Sequence, residues 1–154
     1  MKPDMAVRVT QFAALVIAAL ALVPSAAHLA ALPNKIGLPQ ADYFTVQGIY
    51  RRWAMLGLLW PASVILNGLL AYLVRAQQGP LWLAIGAASC FVVMLAIFLI
   101  WTFPANQATE NWTSVPGNWE TLRRQWEYSH AVNAGIVFVA FCLTALSVLS
   151  WQPR

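Results

Sequence analysis

Charge is what this sequence lacks most. Lys, Arg, Asp and Glu make up 9% of its 154 residues, where a soluble domain carries about 25%. So few charges cannot cover a water-facing surface, which excludes an ordinary soluble domain. The net charge of +4 is no sign of nucleic acid, because the bases stand singly or in pairs at the ends of apolar runs and form no stripe that could follow phosphates. Cysteine is almost absent. Cys90 and Cys142 fall in mid-run, match no zinc or CxxC spacing, and read as small apolar packing residues. Histidine is confined to His28 and His130, short of the three or more ligands that a metal site takes.

What the chain has instead is oil. It is 60% hydrophobic, and four apolar runs lie at about 9–32, 53–74, 81–103 and 131–151. Each is long enough, at about 1.5 Å per residue, to cross a hydrocarbon layer about 30 Å thick. Backbone groups in lipid must be satisfied within the segment, so the runs are helices. The expectation is an all-α, multi-pass integral membrane protein. It is a single four-transmembrane-helix bundle over residues 1–154, with polar cap loops at 33–52 and 104–130 on one side. Ser25-Ala26-Ala27 behind Lys2 resembles a signal-peptide cleavage site, but the length of the first run favours an uncleaved helix.

Four spans put both termini on one side, side A, with Lys2, Arg8, Arg75 and Arg154. Side B holds Lys35, Arg51, Arg52, Arg123 and Arg124. Four bases against five do not decide the positive-inside rule; the working assignment is termini cytoplasmic. "RAQQGP" makes the second and third spans a tight hairpin. Pro24 predicts a kink in the first span. Asp42 is the expected N-cap of a helix running straight into the second span. Pro104 is expected to end the third span, leaving "ANQATENWTSVPG" irregular. Asn118 is the expected cap of a helix that continues into the fourth span.

The window Trp101–Gly135 gathers three of the five acids, one histidine and four of the eight tryptophans. With a helix starting near Trp119, residues Trp119, Arg123, Trp126, His130 and Asn133 share one face, with Glu127 at its edge. Arg123–Glu127 and Glu120–Arg124 have the spacing of surface ion pairs. Ionisable groups at the hydrocarbon edge are costly and point to function, whereas Trp53, Trp101, Trp112 and Trp151 read as an interfacial belt. His28 lies near the B end of the first span, at the depth of His130. Tyr43, Gln47, Tyr50 and Arg51 form a polar face beside it. These groups together predict a polar cup at the B end of the bundle.

"PSAAHLAALPNKIGL", "YFTVQGIYRRW" and "FPANQATENWT…NWETLRRQWEYSHA" carry a resemblance that covers nearly the whole chain. In them the chain resembles the anthrone-oxygenase-like family, small four-helix membrane proteins grouped under a domain of unknown function. The resemblance implies an oxidoreductase, a monooxygenase that converts polycyclic anthrones to anthraquinones with O₂ and no bound cofactor. Such chemistry needs a base and a holder for the resulting anion. In that scheme His130 is the base, Glu127 orients it, and Arg123, helped by Asn106 or Asn111, holds the substrate oxygen. His28, Gln47, Tyr50, Trp119, Trp126 and Asn133 line the rest of the site, and no metal is assigned. Two other classes stay open. One is a non-catalytic membrane subunit or small-ligand-binding protein whose ion pairs latch the B-side loops. The other is a haem or metal redox protein using His28 and His130, with Glu127 or Glu110 completing a metal set. The expected partners are the lipid bilayer and a hydrophobic small molecule, with a homo-oligomer or larger membrane complex also open, and no nucleic acid.

Overall fold

The computed structural model describes residues 3–153. Lys2 and Arg154, both used in weighing sidedness, lie outside them. The chain is a helical bundle built from α1 (Pro3–Lys35), α2 (Gln40–Gln47), α3 (Leu59–Leu73), α4 (Gln78–Ile97), α5 (Phe103–Ala108) and α6 (Trp119–Ser150). Four stretches are long and apolar enough to cross a membrane: Asp4–Lys35, Trp53–Leu73, Gln78–Ala108 and Trp119–Ser150. The protein is a multi-pass membrane protein.

The spans form a closed ring in which α1 packs on α3 and α6, and α4 packs on α3 and α6. Every neighbouring pair is antiparallel. Small residues set the spacing. Ala14, Ala18 and Ala21 of α1, Ala84 and Ala87 of α4, and Ala140 of α6 are fully buried. Between helices in lipid there is no water to expel, so close backbone approach through alanine supplies the attraction by packing. Leu70, Phe91, Met94 and Val137 fill the space between them. Large apolar side chains such as Phe12, Ile65, Val92 and Leu149 face outward, as lipid requires.

Polar residues inside the A-side half of the ring mostly satisfy one another. Thr144 donates to Asn67 Oδ1 at 2.9 Å, and Asn67 donates to the Ser63 carbonyl at 2.9 Å. Ser147 donates to the Pro80 carbonyl at 2.8 Å. Gln77 and Gln152 exchange two bonds, tying the hairpin turn to the end of α6. Asn67 is the interhelical hydrogen-bonding residue its place in a span implies. Both cysteines are free and partly buried.

The B side departs from the expected connections in three places. α1 continues through Pro24 and Pro33 to Lys35, one turn further than the apolar run. α2 begins at Gln40 behind Pro39, with Asp42 inside its first turn, and does not run on into the second span. A 3₁₀ turn (Gly48–Tyr50), a break at Arg51-Arg52 and a second 3₁₀ stretch (Trp53–Leu58) intervene. Arg52 takes the left-handed backbone conformation at φ 77°, which turns the chain from the cap into the bundle. Pro104 does not end the third span. It lacks the N–H that Ile100 would accept, and a wide π turn at Phe98–Thr102 precedes it. There the Phe103 N–H reaches back to the Phe98 carbonyl, so the helix carries on as α5.

The cap closes on α6 through a left-handed turn. Glu110, Asn111 and Trp112 have φ values of 49°, 58° and 64°, a costly run for residues other than glycine. Buried Thr109 anchors it: its Oγ1 accepts from the Trp112 N–H at 3.1 Å, and its carbonyl accepts from Thr113 and Ser114. Asn118 occupies the N-cap position of α6. Its side chain makes no cap bond, while its carbonyl accepts from Thr121 and Leu122.

Candidate functional site

Where α1 and α6 reach side B, their antiparallel register brings the two histidines together. The His28 and His130 rings are stacked, 4.1 Å between centroids and 24° between planes. Both are buried. Trp126, one turn before His130 on α6, meets both rings edge-on at 5.0 and 4.3 Å. Tyr50 lies 4.4 Å from His28, and Trp53 5.6 Å. Trp112 from the cap packs on Trp126 at 5.7 Å. Asn106 of α5 accepts from the Trp126 indole N–H at 2.8 Å, fixing that ring.

These residues wall a cavity of about 870 Å³ at the B end of the bundle. Its floor is aromatic and imidazole: His28, His130, Trp126, Tyr50, Trp53 and Trp60. Gln47, Phe44, Asn106, Asn111 and Trp112 close it from the cap side. Arg51, Arg52 and Glu110 also border it. The volume falls within the range of small-molecule sites, about 300–1,000 Å³.

Beside the cavity, one turn closer to the B surface, sits a second cluster. Lys35 Nζ lies 3.0 Å from Glu127 Oε1, and both side chains are almost wholly buried. Tyr43 donates to the same oxygen at 3.0 Å, and Gln47 donates to the Tyr43 hydroxyl. The ammonium also faces the rings of Tyr50 at 4.6 Å and Trp126 at 5.0 Å, a cation–π contact. Burial, and then the Glu127 carboxylate, raise the Tyr43 hydroxyl well above the usual 10, so Tyr43 stays a donor across the biological range. Arg123 donates to the Leu38 carbonyl at 2.7 Å and stacks on Trp119 at 4.6 Å and on Tyr43 at 5.4 Å.

Of the residues singled out from sequence, His28, Gln47, Tyr50, Asn106, Asn111, Trp126 and His130 border one cavity. Arg123, Glu127, Trp119 and Asn133 do not. Arg123 and Glu127 do not pair with each other. Among the described residues the recorded ion pair is Lys35–Glu127, and Glu120–Arg124 is not formed. The reason is α1: its extra turn delivers Lys35 to Glu127, while Arg123 is drawn outward to the carbonyl of Leu38. Glu127 therefore faces Lys35 and Tyr43, and no hydrogen bond joins it to His130. Asn133 is buried, with its Oδ1 unpartnered.

Lys35, Tyr43, Trp53, Trp60 and Trp112 carry more of the site than the sequence reading assigned them. A signal for Lys35 was present. A lone acid on the buried face of a membrane helix needs a cation, and Lys35 lies seven residues, two helical turns, beyond His28. Trp53 and Trp112, read as interfacial belt, face the cavity.

The stacked histidines are in direct contact with each other. Among the described residues no group of three or more His, Cys, Asp and Glu could hold a metal ion. The class these features define is a multi-pass α-helical membrane bundle with one large, aromatic-lined cavity at its capped end. Comparison with protein-family models, with curated proteins and with solved structures returns no match.

Proposed function

We propose that the B-end cavity receives a flat, hydrophobic aromatic molecule and that the histidine pair removes a proton from it. The observation that carries this reading is the cavity floor: two stacked imidazoles flanked by Tyr50, Trp53 and Trp126, in a space of about 870 Å³. Aromatic walls favour a flat ring system, and an imidazole is a suitable general base.

The resemblance to anthrone oxygenases gives the reaction its form. His130, assisted by His28, takes the proton from the methylene carbon of an anthrone. The resulting carbanion, delocalised onto the ring oxygen, transfers electrons to O₂, and a carbon–oxygen bond forms at the former methylene. Loss of water from the hydroperoxide leaves the quinone, so one anthrone and one O₂ give one anthraquinone and one H₂O. Asn106, whose Oδ1 is held by Trp126, keeps its amide N–H groups for the developing oxyanion. In this scheme Arg123 and Glu127 act as a latch that holds the cap on the bundle rather than as reacting groups. The termini face the cytoplasm in this reading; a C-terminal reporter that works only outside the cytoplasm stays silent if so.

The test is oxygen uptake by the purified protein supplied with anthrone. His130→Ala is expected to slow turnover by about a hundredfold, with His28→Ala next. Wild-type rates in both variants contradict the assignment. Anthrone binding without oxygen uptake assigns the cavity to ligand binding alone.

A further inference from the structure

The cavity border reaches the apolar outer surface of the bundle. Leu58, 70% exposed, and Leu99, 59% exposed, both border it. They come from the 3₁₀ stretch leading into α3 and from the π turn that follows α4. Met55, on the same 3₁₀ stretch, is 74% exposed. Side chains of this kind sit stably in lipid and not in water. The rim between Leu58 and Leu99 thus lies on the apolar outer surface of the bundle.

Two arginines mark the same rim. Arg51 and Arg52 border the cavity, are exposed, and make no side-chain hydrogen bond or ion pair among the described residues. They lie where the chain passes from cap to span, at the level where arginines meet the head-group region. Arg52 is also held in a left-handed backbone, φ 77°. Glycine is the residue that takes this conformation without penalty, so the strain of an arginine there points to a use for its side chain. The third charge on the cavity border is Glu110, in the capping turn. The border is thus net positive beside a largely aromatic floor.

We infer that the occupant is an amphiphile: a flat apolar body that enters sideways from the bilayer, and an anionic group held at the rim by Arg51 and Arg52. Carboxylate, sulfonate, phosphate and phenolate share the needed chemistry, since a guanidinium fork binds any of them with charge-assisted hydrogen bonds. The inference rests on reading the cavity as a ligand pocket and adds the polarity and the entry route of the ligand.

Two probes with one aromatic skeleton test it. 8-Anilinonaphthalene-1-sulfonate carries an anionic group, and N-phenyl-1-naphthylamine lacks it. Both are titrated into the protein in nanodiscs of zwitterionic lipid, with empty discs subtracted. The anionic probe is expected to bind the wild type more tightly. Arg51→Gln/Arg52→Gln is expected to weaken it about tenfold and to leave the neutral probe unchanged. Arg52→Gly, which relieves the left-handed strain, is expected to raise thermal stability while still weakening the anionic probe. Equal loss of both probes, or no loss of the anionic one, overturns the inference. Failure of the neutral probe to bind the wild type overturns the pocket reading itself. Repeating the titration with phosphatidylglycerol in the discs separates two sources of the anion: displacement of the bound probe supports a lipid head group, and retention supports a free amphiphile.

Discussion

The two halves of the bundle use polar residues in different ways. In the A-side half, Ser63, Asn67, Thr144 and Ser147 are buried and bonded to one another or to carbonyls of their own or a neighbouring helix. Gln11 keeps an unpartnered amide there. In the B-side half the unpartnered buried atoms collect: His28 Nδ1, Gln47 Oε1, Trp60 Nε1, Trp112 Nε1, Arg123 Nε, Glu127 Oε2 and Asn133 Oδ1. Four of those residues, His28, Gln47, Trp60 and Trp112, border the cavity. A buried polar group without a partner is costly. The fold pairs most of its polar atoms at one end; at the other, four residues with an unpaired polar atom border the cavity, and the proposed ligand-binding reading draws on that difference.

The comparison is broken most forcefully at the latch. Glu127→Leu strands the buried Lys35 ammonium and is expected to cost about 3–5 kcal/mol. Lys35→Met/Glu127→Leu together should recover most of that loss, read as thermal unfolding in detergent. A double variant no more stable than the single one would show that the pair is not the source of the cost.

Tyr43→Phe comes next. It leaves Glu127 and Gln47 each short of a partner and is expected to cost about 1–2 kcal/mol. It also has a pH signature. The Tyr43 hydroxyl is raised in the folded protein, so its contribution is fully present below the unfolded value near 10 and is lost as pH rises above it. The wild type should therefore lose stability above about pH 10 more steeply than Tyr43→Phe. Parallel alkaline unfolding curves would contradict this.

Asn67→Leu, in the A-side half, sharpens the comparison from the other direction. A single interhelical hydrogen bond within a membrane bundle is worth about 0.6 kcal/mol on average. The variant should unfold slightly more easily and bind or turn over ligand at the wild-type level. A loss of ligand affinity there would show that the two halves are not separable.

Much of the fold could be read from the chain because lipid leaves little choice. A run of some twenty apolar residues has to be a helix, and four of them in succession alternate in direction across the bilayer. The stripe on α6 and the depth of His28 were legible through helical spacing alone, and the two rings do stack. What periodicity could not show was partner choice. Arg123 and Glu127 are correctly spaced to pair, but a buried carboxylate takes the cation delivered to it from another helix, and Lys35 arrives only because α1 runs through Pro33. Proline misled at Pro104, and α1 outran its apolar stretch. At Pro104 a π turn lets the helix go on, and at Pro33 the helix simply continues. The break at Arg51-Arg52 carries no glycine or proline to announce it, and neither does the left-handed turn at Glu110–Trp112.

The central claim is that the B-end cavity holds a flat aromatic ligand. The most direct measurement is the dissociation constant of N-phenyl-1-naphthylamine for the wild type, Gly57→Phe and Asn67→Leu. A Cβ at Gly57 would meet only the Trp60 ring, at 3.7 Å, so the variant adds a ring to the cavity wall without strain in the backbone. The account predicts saturable binding to the wild type and to Asn67→Leu, and loss of binding in Gly57→Phe. Equal affinity in all three, or no saturable binding to the wild type, would contradict it.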